Sequence, residues 1–328
     1  MNILVTGGAG FIGSNFVRHL LTTYPDYRVI NLDLLTYAGN IHNLDDVMEN
    51  QNHYFVQGNI TDRELIKSLI EQYDIQAIVN FAAESHVDRS ILNPGIFIET
   101  NIQGTLALLD AAKECHIQRF LQVSTDEVYG SLGETGYFTE ETPLAPNSPY
   151  SASKAGADML VRAYHETYGL SVTITRCSNN YGPYHFPEKL IPLMITNGID
   201  GDMLPIYGNG ENIRDWLHVT DHCAAIDLVL HKGKSGEVYN VGGHNERTNN
   251  EIVQKIVEHL GLSSDRIHYV EDRLGHDLRY AIDPTKLETE LGWKPKFTFD
   301  TGIVETIDWY VNHEEWWRPL KERAKLGK

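Results

Sequence analysis

A doubly wound parallel α/β sheet followed by a smaller C-terminal α/β unit is the fold class that this 328-residue chain predicts. Three observations carry it. The N-terminus reads as an apolar run, a glycine-rich turn and a helix. The next apolar run closes on an acid, Asp33, about twenty residues past the last glycine of that turn. Strand-like and helix-like segments then alternate through the first half of the chain, the pattern of parallel strands joined by right-handed crossovers. All strand ends in such a sheet point to one edge.

The first element lies in NILVTGGAGFIGSNFVRHLL, where Gly7, Gly10 and Gly13 precede Phe16, Val17, Leu20 and Leu21 at helical spacing. The glycines follow GxxGxxG, one residue longer than GxGxxG. Glycines in such a turn let the backbone approach a pyrophosphate, whose charge then rests at the helix N-terminus. Phe11 and Ile12, which open that helix, join the three glycines as cofactor-binding candidates. The second run, YRVINLD, places Asp33 where a carboxylate would bind the adenosine ribose hydroxyls. Leu34 and Leu35 follow it, with no arginine to meet a 2′-phosphate. The expected cofactor is therefore NAD rather than NADP.

Further strand-like runs are HYFVQGNI, AIVNFAA and RFLQVST, separated by helical patterns over 62–72 and 101–115. Ala82 and Ala83, closing the second of these runs, are small enough to admit a cofactor, although helix-to-strand packing would also call for small residues there. The C-terminal half alternates less and reads as a substrate-binding unit. Residues 1–177, with 212–243 returning to them, are expected to form the nucleotide-binding unit, and 178–211 with 244–328 the other.

Composition narrows the function classes. The formal charge of −18, from 45 acidic and 27 basic residues, comes without a basic run that could track a phosphate backbone, so nucleic acid is not expected as a partner. An anionic small molecule would need arginines concentrated locally. No apolar stretch reaches the roughly 18 residues of a membrane span, and the first residues lack the basic and long apolar regions of a signal peptide. The expected location is cytoplasmic. Cys115, Cys177 and Cys223 are odd in number and widely spaced, and no CxxC or His pair has zinc spacing. Reduced thiols and no metal are expected.

The stretch VSTDEVYG sets two carboxylates, Asp126 and Glu127, side by side after an apolar run. Neighbouring acids oppose each other's ionisation, and partial burial raises both pKa values. Adjacent residues of a strand point to opposite faces, so a working pair must sit where the chain leaves the strand. Downstream, YSASK opens a helix after Pro149 in which Tyr150 and Lys154, four apart, share a face. A lysine beside a phenol favours the phenolate and can also hold the nicotinamide ribose, so Tyr150 and Lys154 are cofactor-binding candidates too, and the pair becomes a base for a hydroxyl proton during hydride transfer.

With these motifs in register, the chain resembles the extended short-chain dehydrogenase/reductase family, a Rossmann-type fold, across nearly its whole length. The resemblance implies that Thr125 completes the site with Tyr150 and Lys154. It narrows to the nucleotide-sugar 4,6-dehydratases, most closely those acting on dTDP-glucose, through STDEVYG, NFAAESHVDRS, SNNYGPYHFPEKLIP, GNGENIRDWLHVTDH and GHDLRYAID. Sugar epimerases of this fold usually carry small or hydroxyl residues in place of the acid pair.

The implied chemistry gives each acid a task. Oxidation at C4 of the hexose acidifies the C5 hydrogen, Glu127 removes it, and Asp126 protonates the departing C6 hydroxyl. Return of hydride to C6 then regenerates tightly held NAD in the same turnover. An acid and a base with separated pKa values suit that elimination.

The same resemblance implies substrate-side roles for His86, Asn179, Glu188, Lys189, Leu190, Tyr207, Arg214, Asn249, Arg273 and His276. Arg214 and Arg273 are the local positive charges that an anionic substrate requires of an acidic protein, because arginine's planar fork can donate two bonds to phosphate oxygens. His276 would serve equally as a structural histidine, and the other loop positions as solvated loops. Two departures stand out. Asn59, with Ile60 beside it, occupies a cofactor-side position where the family often has Asp, and the segments near Arg273 are shorter than in some relatives. The family commonly forms homodimers through the helices containing Asn101 and Tyr150, and both patterns here are apolar on more than one side. Other readings are a dehydratase of CDP- or UDP-glucose, a 4-epimerase, or a silent NAD-binding regulator.

Overall fold

The computed structural model describes residues 1–272 and 276–326. Its first half alternates β1 (Asn2–Thr6), α1 (Phe11–Thr23), β2 (Arg28–Asp33), β3 (His53–Gln57), α2 (Arg63–Tyr73) and β4 (Ala77–Asn80). After the short helices α3 (Val87–Leu92) and α4 (Pro94–Phe97), a π-helical stretch (Ile98–Gln103) runs into α5 (Gly104–Glu114). The chain continues through β5 (Arg119–Thr125), α6 (Pro149–Tyr168), β6 (Val172–Cys177), β7 (Asn179–Tyr181), α7 (Leu190–Asp200), β8 (Leu204–Tyr207) and β9 (Ile213–His218). It ends with α8 (Val219–Lys232), β10 (Val238–Val241), β11 (Glu246–Thr248), α9 (Asn249–His259), β12 (Ile267–Val270), α10 (Thr285–Leu291), α11 (Phe299–Asn312) and α12 (Glu314–Leu326).

Seven strands form one parallel sheet in the order β10-β6-β5-β4-β1-β2-β3. Its two faces are filled by the alternation within each strand. Ile3 and Val5 of β1 pack with Phe16, Val17 and Ile226 from α1 and α8, while Leu4 packs with Ile66, Leu108 and Val161 from α2, α5 and α6. Both faces are dry, as parallel sheets require. A second core gathers Tyr181, Ile191, Trp216, Ile252, Phe299 and Trp317 around two small sheets, β11-β9-β7 and β12-β8. No helix among the described residues is long and apolar enough to cross a membrane. The three cysteines are free thiols.

Two expected strands are shorter than their apolar runs: β3 stops at Gln57 and β4 at Asn80, so residues 81–83 leave the sheet. The helix expected over 101–115 is entered earlier, through the π-helical stretch. Asn101, fully buried there, accepts from Glu84 N (2.8 Å) and donates to Glu84 O (3.0 Å) and Ser153 Oγ (2.8 Å). Those bonds satisfy a buried amide inside a widened turn. Apolar periodicity does not distinguish such a turn from α-helix.

Candidate active site

The order of strands reverses between β1 and β4, and a crevice opens at their C-terminal ends. Gly7 turns out of β1 with φ +71°, and a Cβ placed on it would lie 2.7 Å from Ala82 N, just past β4. A Cβ on Gly13 would lie 2.2 Å from Gly7 O. The turn, the helix and residue 82 are therefore packed backbone to backbone. Gly10 caps α1 without a side-chain bond, which leaves the helix's N-terminal donors and dipole for an anion. Asp33 stands beside this turn: Oδ2 accepts from Ala9 N (2.9 Å) and Oδ1 from Leu35 N (2.8 Å). Burial raises its pKa and the two N–H bonds oppose the rise. Each oxygen keeps a further acceptor position for a ribose hydroxyl.

These features fit a dinucleotide. Phe11 stacks on His185 at 4.1 Å, and Ile12 is half-buried against the same core. Ala82 and Ala83 are half-buried in the loop after β4. Asn59 accepts from Thr61 N (3.0 Å) through Oδ1, so its carbonyl closes a turn while its amide N–H groups remain. The Ile60 side chain is buried in the helix-side core, where a Cβ on Gly104 would press on it.

The acids stand where the chain leaves β5. Thr125 ends that strand, and Asp126–Tyr129 form a single 3₁₀ turn. Thr125 Oγ1 accepts from Glu127 N (3.2 Å) and donates to Asp126 Oδ1 (3.4 Å). Asp126 is 1% exposed, and its Oδ2 is buried without a hydrogen-bond partner. Burial, then Glu127 and Asp215, push its pKa well above the usual carboxylate range, against Arg214 and Thr125. The neutral form of Asp126 is thereby favoured. Asp215 is a further buried carboxylate, accepting from Gly243 N and Asn245 N, each at 2.7 Å.

Tyr150 lies in the first turn of α6, whose start is set by a reciprocal cap between Ser148 and Ser151. The phenol is buried. Burial, then Glu127, raise its pKa well above 10, and the Thr125 side chain acts to lower it. Lys154 shares the buried face, but its Nζ donates to Val123 O on β5 (2.8 Å). Burial lowers the lysine's pKa and Asp158 opposes that. The expected preference for phenolate is thus outweighed here by desolvation and by the neighbouring carboxylate.

On the substrate side, the loop after β4 meets the entry to α7. His86 Nε2 lies 3.6 Å from Glu188 Oε1, Lys189 Nζ donates to Ser85 O (3.3 Å), and Leu190 begins α7. Arg89 lies over the Tyr37 ring at 3.9 Å. Arg214 arrives on β9, donates to Asp277 O (2.9 Å), covers the Tyr280 ring (4.2 Å), and acts electrostatically on both acids. Asn179 opens β7 opposite Trp216, and Asn249 opens α9 behind the Thr248 cap. Tyr207 meets His276 edge-on at 6.5 Å, and His276 Nδ1 pairs with Asp272 at 2.6 Å. Arg273 lies outside the described residues. Asp215 and Tyr280 were not singled out from the sequence, and Asn101 entered only as a marker of its helix. The polar Asn101 within an apolar helical pattern and the acid next to Arg214 were the available signals.

Comparison with known proteins gives consistent matches. The model of the GDP-mannose 4,6 dehydratase family matches residues 4–306. The chain is 56% identical to dTDP-glucose 4,6-dehydratase of Xanthomonas campestris pv. campestris (strain B100), over 95% of this chain and 94% of that protein. Its fold is similar to the NAD complex of dTDP-glucose 4,6-dehydratase from Bacillus anthracis str. Ames, with TM-score 0.93, 57% identity, and 98% and 99% of the two chains covered. It is also similar to DesIV, a dTDP-glucose 4,6-dehydratase from Streptomyces venezuelae with NAD and TYD bound, with TM-score 0.95, 53% identity, and 98% and 100% covered.

Proposed function

The chain belongs to the GDP-mannose 4,6 dehydratase family, and from that premise we propose that it is an NAD-dependent dTDP-glucose 4,6-dehydratase yielding dTDP-4-keto-6-deoxyglucose. The observation that carries the reading is the acid pair on the turn after β5, one member buried so that its neutral form is favoured and both acting electrostatically on Tyr150. Relatives bearing that name, with NAD bound in two solved structures, support the substrate and the cofactor.

Gly7, Gly10, Phe11, Ile12, Gly13, Asp33, Asn59, Ile60, Ala82 and Ala83 would hold the cofactor against the crevice. When bound, NAD supplies the hydride acceptor for C4 and returns the hydride to C6. Tyr150 accepts the C4 hydroxyl proton as its phenolate, whose negative charge the ammonium of Lys154, on the same helix face, compensates before the proton arrives. Glu127 takes the C5 proton. Asp126, whose burial favours the protonated form, transfers its proton to the C6 hydroxyl, which leaves as water. Protonation of C5 from Glu127 completes the product without net oxidation. His86, Asn179, Glu188, Lys189, Leu190, Tyr207, Arg214, Asn249, Arg273 and His276 are the proposed substrate contacts.

Residues 1–177 with 212–243 serve the cofactor in this reading, and the rest of the chain serves the sugar nucleotide. The protein acts as a cytoplasmic homodimer. Exposed Leu92, Ile96, Ile98, Leu106 and Met159 on α3, α4, the π-helical stretch, α5 and α6 support the pairing, because helices apolar beyond one stripe need a second partner. Incubation with dTDP-, CDP- and UDP-glucose, followed by alkaline absorbance and mass, tests the activity. Loss of one water from dTDP-glucose is expected. Conversion to a galactose configuration without water loss would show an epimerase, and bound NAD without turnover would show a regulator.

A further inference from the structure

One buried ion pair in the large domain takes no part in the chemistry above. Arg176 of β6 and Asp158 of α6 are both buried, with Nε donating to Oδ2 at 2.9 Å. Desolvation makes such a pair a poor source of stability, so a role in holding a particular geometry deserves a test. Asp158 lies four residues after Lys154 and eight after Tyr150, on the helix that carries both. Arg176 Nη1 donates to Tyr129 Oη (3.1 Å), and that hydroxyl donates to Asn240 Oδ1 on β10 (2.7 Å). Asn240 is itself fixed, donating through Nδ2 to Phe138 O (3.1 Å) and through its backbone to Glu140 Oε1 (2.8 Å).

Tyr129 is the last residue of the turn that begins with Asp126. A single 3₁₀ turn has poorer hydrogen-bond geometry than α-helix and holds its shape only where its ends are secured. Thr125 secures the first end. At the other, the Tyr129 ring stacks on Phe138 at 5.0 Å and its hydroxyl reaches both Arg176 and Asn240. The chain Tyr129–Arg176–Asp158 thus links the turn bearing the acids to the helix bearing Tyr150. Oxidation at C4 and elimination across C5 and C6 occur on one bound sugar, so the spacing between those two elements has to match the spacing of its carbons.

We propose that Tyr129 is a positioning residue, anchored by the Arg176–Asp158 pair and Asn240, that sets the acid pair in register with Tyr150 for elimination. The inference rests on the dehydratase reading above. Tyr129→Phe keeps the ring and its stacking and removes only the hydroxyl bonds. In single turnovers with dTDP-glucose and NAD, the rise of NADH absorbance in this variant stays within about twofold of wild type. Water loss slows by about 10–10²-fold, the scale of a misplacement near 1 Å. Asn240→Ala, which withdraws the acceptor and leaves Tyr129 intact, shifts the two steps in the same direction.

A readout independent of turnover is deuterium uptake by the backbone of 123–130 in the free protein, which accelerates in Tyr129→Phe. Val128→Ala is the packing control, because Val128 is fully buried in the same turn but makes none of these bonds. It lowers stability and leaves the ratio of the two steps unchanged. Equal slowing of both steps in Tyr129→Phe, unchanged deuterium uptake, or the same imbalance in Val128→Ala would overturn the proposal. A wild-type chain that releases no water from dTDP-glucose would instead overturn the dehydratase reading itself.

Discussion

At the scale of single residues, the separation of roles rests on proton positions. Asp126 is buried beside Glu127 and Asp215, which favours its neutral form. Tyr150 is buried too, and in the proposed mechanism it must already be the phenolate when it accepts the C4 hydroxyl proton. Tyr150→Phe should therefore abolish both the NADH signal and product, with a loss of about 10²–10⁴-fold in turnover. Glu127→Gln should suppress solvent-deuterium exchange at C5, measured by NMR of recovered substrate and product, while C4 oxidation continues. Asp126 also has a consequence for stability. A carboxyl whose folded pKa is raised stabilises the native state relative to its ionised form only below that pKa, and the contribution is lost as pH rises through it. Asp126→Asn cannot ionise, so thermal melting should show it gaining on wild type from the ordinary carboxylate range upward through the raised pKa. An advantage confined to acid pH would contradict the assignment. Asp33→Arg should weaken NAD binding in calorimetry, because it removes the proposed ribose acceptor and unfastens Ala9 N and Leu35 N.

At the scale of elements, the glycine turn makes a graded prediction. A Cβ on Gly13 would meet Gly7 O at 2.2 Å, whereas one on Gly10 would meet only Gly7 O at 3.2 Å. Gly13→Ala should lower stability by about 1–3 kcal/mol, as overpacking does, and reduce NAD affinity. Gly10→Ala should melt close to wild type. Much at this scale was legible in the sequence. The strand from Arg28 to Asp33, the strand from Arg119 to Thr125 and the departure of the acids from the sheet follow from apolar runs and the two-residue period of a strand. The π-helical stretch was not legible, because it is set by the distant partners Glu84 and Ser153 of Asn101 rather than by local spacing. The anchoring of Lys154 on Val123 was hidden for the same reason. Residue spacing places it on the face of Tyr150 but does not say which neighbouring acceptor takes its ammonium.

At the scale of the molecule, strand order brings the separate motifs together. Reversal between β1 and β4 opens the cofactor crevice, β5 and α6 place Tyr150 and the acids along the same edge, and β9 brings Arg214 to the acids from the other core. That last approach depends on β9 pairing with β7 and β11, which sequence spacing does not specify. The exposed apolar residues along α3–α6 belong to this scale too. Ile98→Glu combined with Leu106→Glu should convert a dimer into a monomer in light scattering at micromolar concentration, whereas a wild-type monomer would contradict the proposed pairing. The central claim is that one molecule of NAD carries the hydrogen from C4 of the sugar to C6 while water departs between the two steps. The measurement that tests it most directly is turnover of dTDP-glucose bearing deuterium at C4, with the product analysed by NMR and mass. The account predicts a 4-keto product with deuterium at C6, hydrogen from solvent at C5, and no net NADH once turnover is complete. Deuterium retained at C4, or a product that has lost no water, would contradict it.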